Sequence, residues 1–325
     1  MGRADERESP GSDGPTTTDP PGCGTVIGVT SETGVRNATE TTAAAAGRAA
    51  RAAADSSGVR VVELHEVREL AAAAALYQDV WQTDTRSAPV SPDLMRALSH
   101  AGGYVAGAYD GTRLVAASLA FHTGDPDVGL HSHISAVASD IQGREVGLAL
   151  KLHQRAWALE RGLVTISWTY DPLLRRNAWF NITKLGARPV GYLVDFYGAM
   201  DDAQNGGDDS DRAVALWDLQ APYVVAAAEG QRHEPDVDAL LAAGAAVALR
   251  ATDDGRPEVV RVPADAQCVL AQLPADIQRL RATDPSLSRR WRENSREVLE
   301  PLLGGPFVAT GFSRSGWYVL EETSA

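Results

Sequence analysis

One stretch limits the possible folds more than any other. Residues 131–186 read as strand, glycine-bearing turn, helix, strand, helix. Gln142, Gly143, Arg144, Gly147 and Ala149 fall where the first strand gives way to the helix. A helix leaves its first N–H groups without internal partners and carries partial positive charge there. A corner of this kind suits a diphosphate. The helix is expected to run to about Arg161, with Gly162 as its stop. Leu148, Ala149, Leu152, Ala156 and Leu159 share its apolar face, and Lys151, Gln154, Arg155 and Arg161 are expected to face away. Residues 163–169 form the next strand, Asp171-Pro172 ends it, and a helix over 177–185 is capped by Gly186.

Upstream, residues 59–67 read as a strand and 69–81 as a helix, and Ser91-Pro92 opens a second helix. The apolar runs 104–109 and 113–121 flank Asp110-Gly111, a hairpin signal. Residues 130–138 add a third strand to that sheet. Residues 190–200 and 212–219 read as two more strands, joined by an acidic loop from Asp201 to Asp211.

Three regions follow. Residues 1–58 are rich in Gly, Pro, Ser, Thr, Asp and Ala, with few large apolar side chains, and are expected to be disordered. A transient helix over 43–55 is the one exception foreseen. Residues 59–219 form the main α/β unit. Residues 220–325 form a C-terminal α+β extension or lobe, with a hairpin over 246–262, helices over 275–303 and a closing strand pair over 307–321. With 44% hydrophobic residues, the 325-residue chain has enough apolar material for a substantial core.

Charge and composition exclude several classes. A formal charge of −13 argues against an electrostatic grip on nucleic acid or anionic membrane. Cys23 and Cys268 make no disulfide framework, so a reducing cytoplasm is expected. No paired-histidine or clustered-cysteine spacing points to a metal.

The order of elements from 59 to 219, about half the chain, resembles the GNAT superfamily of acyl-CoA-dependent N-acyltransferases. Two motifs carry the resemblance. The first is the Gln/Arg-x-x-Gly-x-Gly/Ala turn. It can be read from Gln142, with Glu145 in place of the first glycine, or from Arg144 through Gly147 to Ala149. The second is Asn177-Ala178…Lys184-Leu185-Gly186. The runs His131-Ser132-His133, Trp168–Pro172 and Phe196–Asp201 look like a bacterial subgroup, some of whose members are associated with N-succinylation of amino acids. The resemblance implies a mixed, mostly antiparallel sheet, splayed at its central strands, with helices on both faces. It implies acetyl-CoA or another acyl-CoA as co-substrate, and a small-molecule amine, such as an amino acid, as acceptor. The turn would hold the pyrophosphate, the strand edge at Ala136, Val137 and Ala138 the pantetheine arm, and Asn177 the donor through its side-chain amide. Two departures matter. A carboxylate at Glu145 must point away from a diphosphate. Ile182 stands where many family members carry a Tyr that protonates the leaving thiolate.

Acyl transfer from a thioester to an amine needs a held donor, a neutral amine and a hydrogen-bond donor for the oxyanion. His131 and His133 alternate with their neighbours, so both imidazoles face one side of the strand, and either suits a base. They can also simply satisfy hydrogen bonds in the sheet, with water as base; Asp171 and Asp195 are further candidates. Tyr192 and Tyr197 are candidate acids in place of Ile182, with water as the alternative. The aromatic group Trp168, Tyr170, Trp179, Phe180, Tyr192, Phe196 and Tyr197 is expected to be mostly core. Arg175, Arg176 and the acidic loop read first as solvated charge, and second as contacts for phosphate or for a cationic amine. A non-catalytic acyl-CoA-binding module is the competing reading.

Overall fold

A computed structural model of the chain describes residues 32–83, 89–125, 127–198 and 208–322. The main sheet has seven strands: β1 (Arg60–Glu63), β2 (Tyr104–Asp110), β3 (Arg113–His122), β4 (Leu130–Val137), β5 (Thr165–Tyr170), β6 (Arg188–Leu193) and β7 (Arg212–Asp218). Their order is β1-β2-β3-β4-β5-β7-β6. Each neighbouring pair is antiparallel except β4–β5. The hairpin turns at Asp110-Gly111, where Gly111 takes a φ of +60°.

The parallel pairing of β4 with β5 comprises Leu130 with Ile166 and His131 with Ser167. Beyond these pairs the strands separate. A register shift opposite Leu119 and Ala120 makes His133 the extra residue of a bulge in β4. This is the mixed, mostly antiparallel, centrally splayed sheet that the resemblance implies.

Helices α2 (Val67–Trp81) and α3 (Pro92–His100) pack near β2–β4. Ser91 caps α3 by accepting from the Leu94 N–H, and Pro92 occupies its first turn. Helix α4 (Val146–Glu160) covers the other face of β2–β4, and α5 (Arg175–Ala178) runs on into a π-helical turn, Trp179–Lys184.

The first correction concerns the N-terminal region. Residues 32–57, expected to be disordered apart from a transient helix over 43–55, form the helix α1 (Glu32–Ser57), which lies along α4. Ala43, Ala46 and Ala50 are buried there. Small side chains let the two helices approach closely, and α4 supplies the large ones. Counting bulky apolar residues in the segment alone misses that. Residues 1–31, Cys23 among them, lie outside the described residues.

The second correction concerns which face of α4 meets the sheet. With α1 on its outer side, α4 is enclosed on both sides. Leu148 and Leu152 line a groove against α1, while Lys151, Gln154 and Arg155 are buried rather than solvated. Arg155 donates twice to the Leu219 carbonyl, at 3.0 and 2.6 Å. Arg161 alone of the four is exposed, lying over Trp157.

Strand β6 ends at Leu193, short of the expected 200, because the chain turns at Asp195 with a φ of +45°. Residues 199–207, and with them Asp201 and Asp202, lie outside the described residues.

The C-terminal region builds its own sheet from β8 (Ala246–Ala251), β9 (Pro257–Val259), β10 (Cys268–Gln272), β11 (Phe307–Phe312) and β12 (Trp317–Glu322), in the order β11-β12-β10-β8-β9. The central β10 was not legible from the sequence. The region also contributes α6 (Pro222–Ala228), α7 (Val237–Ala242), α8 (Ile277–Thr283) and α9 (Pro285–Leu303). It docks on the β5 end of the main sheet through buried polar contacts. Asp171 bridges Arg281 and Arg292, Thr183 donates to the Phe312 carbonyl at 2.6 Å, and Tyr318 donates to the Pro172 carbonyl at 3.0 Å.

Candidate active site

The turn between β4 and α4 begins with a 3-10 turn, Ser139–Ile141. Gly143 has a φ of +95° and Glu145, the N-cap of α4, a φ of +63°. Positive φ at a non-glycine residue is uncommon and costs on the order of 1 kcal/mol. It falls at the position where the family motif, read from Gln142, carries glycine. Glu145 therefore holds a glycine-like conformation. The N–H groups of Leu148 and Ala149 return to the Glu145 carbonyl at 2.9 and 3.1 Å. Val146 and Gly147 head the helix, where N–H groups have no partner within it.

Gly147 is informative. A Cβ built on it would lie 3.6 Å from Val137 Cγ2 and 3.9 Å from Phe180 Cζ, ordinary contact distances. The protein's own packing does not demand glycine here. The absent side chain keeps open the gap between the end of β4 and the α5 region.

Other turn residues divide. The Glu145 carboxylate is turned to Lys184, 2.5 Å away. Gln142 accepts from Arg176 at 2.7 Å, which draws that cation from α5 over the turn. Arg144 does not serve as expected. Its guanidinium holds Asp110 at 2.6 Å and the Ser57 carbonyl at 3.1 Å, and its N–H goes to the Ile141 carbonyl. Ala149 is fully buried with its N–H used inside the helix. Both support the turn rather than face a ligand. Arg175 likewise donates to the Leu273 carbonyl in the C-terminal region. Asn177 stands half-buried in α5, and Ala136, Val137 and Ala138 line the end of β4.

The two histidines share one face of the sheet, as their alternation predicts. Their ring centres are 6.4 Å apart, and each packs on Phe121. His131 Nδ1 lies 3.2 Å from Ser167 Oγ. Burial lowers the His131 pKa below its ordinary value, and the charges of His133 and Lys151 lower it further. His133 is more open to solvent but still desolvated enough to be lowered. Both imidazoles are therefore neutral at pH 7, the state a base requires.

The tyrosines separate. Registers place Thr169, Val214 and Gly191 on the histidine face, and Tyr170, Ala213 and Tyr192 on the other. Tyr197 reaches the histidine face: its hydroxyl is 3.2 Å from Thr169 Oγ1. Thr169 is two residues along β5 from the Ser167 that contacts His131. Tyr192 is buried on the opposite face, donates to Asp211 at 2.6 Å, and has its pKa raised by desolvation and by that carboxylate. Ile182 is buried. Ser167 and Thr169 went unnoticed in the sequence, although Ser167-x-Thr169 has the same alternation as His131-x-His133.

The carboxylates considered as bases are otherwise engaged. Burial would raise the Asp171 pKa, but Arg292 and Arg281 outweigh it and hold the carboxyl well below the usual range. Asp195 accepts from Ser210. In the acidic loop, Asp208 faces Arg281 and Arg292, while Asp209 and Asp211 pair with Arg296. These acids bind the C-terminal region and do not form a field for an incoming amine. Among the expected core aromatics, Trp168, Tyr170 and Tyr192 are buried, Trp179 and Phe180 half-buried, and Phe196 and Tyr197 exposed.

A groove of about 540 Å³ between α1 and α4 meets the turn at Glu145; half its lining is Ala and Leu, with Arg48, Arg232 and Glu229 at its walls, and it holds none of the candidate bases. Among the described residues no cluster of three His, Cys, Asp or Glu could hold a metal, and no helix is long and apolar enough to cross a membrane.

No family model and no curated protein matches the chain. Among solved structures, it is similar to the ribosomal-protein-S18-alanine N-acetyltransferase from Escherichia coli, at 16% identity over 50% of this chain and 95% of that one, with a TM-score of 0.41. It is similar to an N-acetyltransferase from Staphylococcus aureus Mu50 at 14% identity, over 50% and 99% of the two chains, with a TM-score of 0.40. An aminoglycoside 6'-acetyltransferase type Ii gives 17% identity, 50% and 98% coverage, and a TM-score of 0.38. What the chain can do chemically rests on its own residues: a turn that heads a helix, a pair of strands that part, and two imidazoles and a phenol on the face where they part.

Proposed function

We propose that the protein transfers an acyl group, acetyl or succinyl, from acyl-CoA to the amine of a small molecule such as an amino acid. One observation carries this reading. The parallel pairing of β4 and β5 stops after His131 and Ser167, and the opening leads to a turn whose Gly147 the fold itself does not require.

In this reading the amides of Val146 and Gly147 hold the diphosphate, with Arg176 above them. The pantetheine arm extends the edge of β4 along Ala136, Val137 and Ala138, as an added strand would. A backbone N–H of that stretch polarises the thioester carbonyl. His131, with His133 beside it, takes a proton from the acceptor ammonium. The neutral amine nitrogen then attacks the carbonyl carbon and the C–S bond breaks. The departing thiolate takes its proton from Tyr197 or from water, since Ile182 has none to give.

The buried Ile182 also supports a second reading, a module that binds acyl-CoA without turning it over. A thiol-release screen separates the two. Acetyl-, succinyl- and longer acyl-CoAs are crossed with amino acids and other amines. Amine-dependent thiol release is expected. Donor binding by calorimetry without release across the panel would leave only the binding module.

A further inference from the structure

Helix α4 sends one charged side chain beneath the site that no step above uses. Lys151 is buried. Its Nζ donates to Ser132 Oγ at 2.8 Å and to Gln154 Oε1 at 3.0 Å, and lies 4.0 Å from the centre of the Trp168 ring. An ammonium has three donor hydrogens, and two oxygens and an aromatic face accept them. Packing alone does not call for a lysine here, because an apolar side chain of similar length fills such a site without the cost of burying a charge.

The positions of its partners are telling. The parallel ladder ends at His131 and Ser167. Ser132 and Trp168 are the next residues of β4 and β5. Lys151 therefore joins the two strands at the first step beyond their last pair, on the face opposite the histidines. We propose that Lys151 is a positioning residue that clasps β4 to β5 at the apex of the splay, fixing the width of the opening and the attitude of His131 on its far side. This rests on the acyl-transfer reading of that opening.

The polar row beneath β4 fits the role. Gln154 reaches Ser118 Oγ at 3.5 Å, and Ser118 shares a 2.8 Å hydrogen bond with Ser135. Ser132 and Ser135 flank the bulge at His133, so both of its ends are tied from below. The groups facing Lys151 are Gln154 on α4, Ser132 on β4 and Trp168 on β5, with Ser118 of β3 one bond further. The groups facing His131 are Phe121, His133, Ser167 and, through the sheet, Lys151. Burial draws the Lys151 pKa down to about 7, and its charge contributes to lowering that of His131.

Two variants test the clasp. Lys151→Met keeps the stem and removes the charge, and Ser132→Ala removes the acceptor and keeps the charge. Misplacement of a reacting group by about 1 Å costs on the order of 100-fold. In the thiol-release assay both variants are expected to lose roughly tenfold or more in kcat, with KM for acyl-CoA held within about twofold because the turn is untouched. NMR titration of the His131 ring in the free protein needs no turnover. Its pKa is expected to rise in Lys151→Met and to stay in Ser132→Ala. Wild-type kcat in both folded variants, or a His131 titration unmoved in Lys151→Met, overturns the clasp. If the wild-type protein releases no thiol with any donor, the acyl-transfer reading fails, and the NMR titration still decides whether Lys151 acts on His131. Should Lys151→Met fail to fold, Ser132→Ala decides through kcat against KM.

Discussion

Gly147 is the position where stability and function are expected to part. Replacing it by Ala adds a methyl group at 3.6 Å from Val137 Cγ2 and 3.9 Å from Phe180 Cζ, which the fold accepts without displacement. Glycine within a helix costs about 0.5–1 kcal/mol relative to Ala. At the second helical position the gain from Gly147→Ala falls at the lower end, about 0.5 kcal/mol, or roughly 1–2 °C in Tm for a chain of this size. In the proposed acyl-CoA site the same methyl stands between the diphosphate and the amides that would hold it. Holding the phosphate off the amides forfeits at least one hydrogen bond to a charged group, about 1.5–3 kcal/mol, or roughly a ten- to hundredfold rise in Kd. Thermal melting and calorimetry with coenzyme A read the two effects separately. A Tm lowered by several degrees would make the glycine structural. An unchanged Kd in a stable variant would remove the turn from the binding site.

Other residues give further tests. A neutral histidine base makes kcat/KM full at high pH and lost as pH falls through its pKa. Because burial and the neighbouring His133 and Lys151 lower the His131 pKa, the acidic limb is expected below the ordinary value of 6.5, and His131→Gln with His133→Gln abolishes it in a pH–rate profile. Tyr197→Phe is expected to lower kcat with little change in Tm, whereas Tyr192→Phe leaves kcat and costs about 1–3 kcal/mol by removing a buried hydrogen bond to Asp211. Asp171→Asn removes the nearer of the two carboxylates that Arg281 and Arg292 share, leaving Asp208 at 3.3 Å from each, and costs about 3 kcal/mol in urea unfolding. Since the folded Asp171 pKa is depressed, its contribution is complete above the unfolded value near 4 and declines as pH falls below it, so the variant and wild type should converge in stability at low pH.

The strand–turn–helix of the main sheet was readable because its signals are local. Gly143, the alternation of His131 with His133 and the Asp110-Gly111 turn each act within a few residues. What escaped depends on partners far along the chain. Lys151, Gln154 and Arg155 have the spacing of a solvated stripe, but Lys151 and Gln154 turn to the underside of the sheet and Arg155 to the Leu219 carbonyl, while Leu148 and Leu152 turn to α1. Of α1 only a transient helix over 43–55 is legible; its extent and packing are not, because its alanines acquire a core from Leu148 and Leu152, which lie a hundred residues downstream. Glu145 stands where a glycine is expected and takes a left-handed conformation, at φ +63°. Tyr192 and Tyr197 sit five residues apart and looked equivalent. The sheet register and the turn at Asp195 send them to opposite faces.

The main sheet does not stand by itself. Asp171 follows β5, and Asp208 and Asp211 precede β7, the strand that lies beside it. Repulsion among three carboxylates at one end of a sheet would open that end, and two of them sit in nearly full burial. Arg281, Arg292 and Arg296 from α8 and α9 neutralise the group. The same end carries Tyr197 and Thr169, on the acceptor side of the proposed site. The C-terminal region therefore holds the end of the sheet where Tyr197 and Thr169 lie, while α1 is tied to the turn through Arg144 and α4 to the β4–β5 opening through Lys151. A chain cut after residue 219 would keep every candidate catalytic side chain and lose the cations that hold one wall of the site together. The expected result is aggregation or a loosened fold rather than a smaller working enzyme.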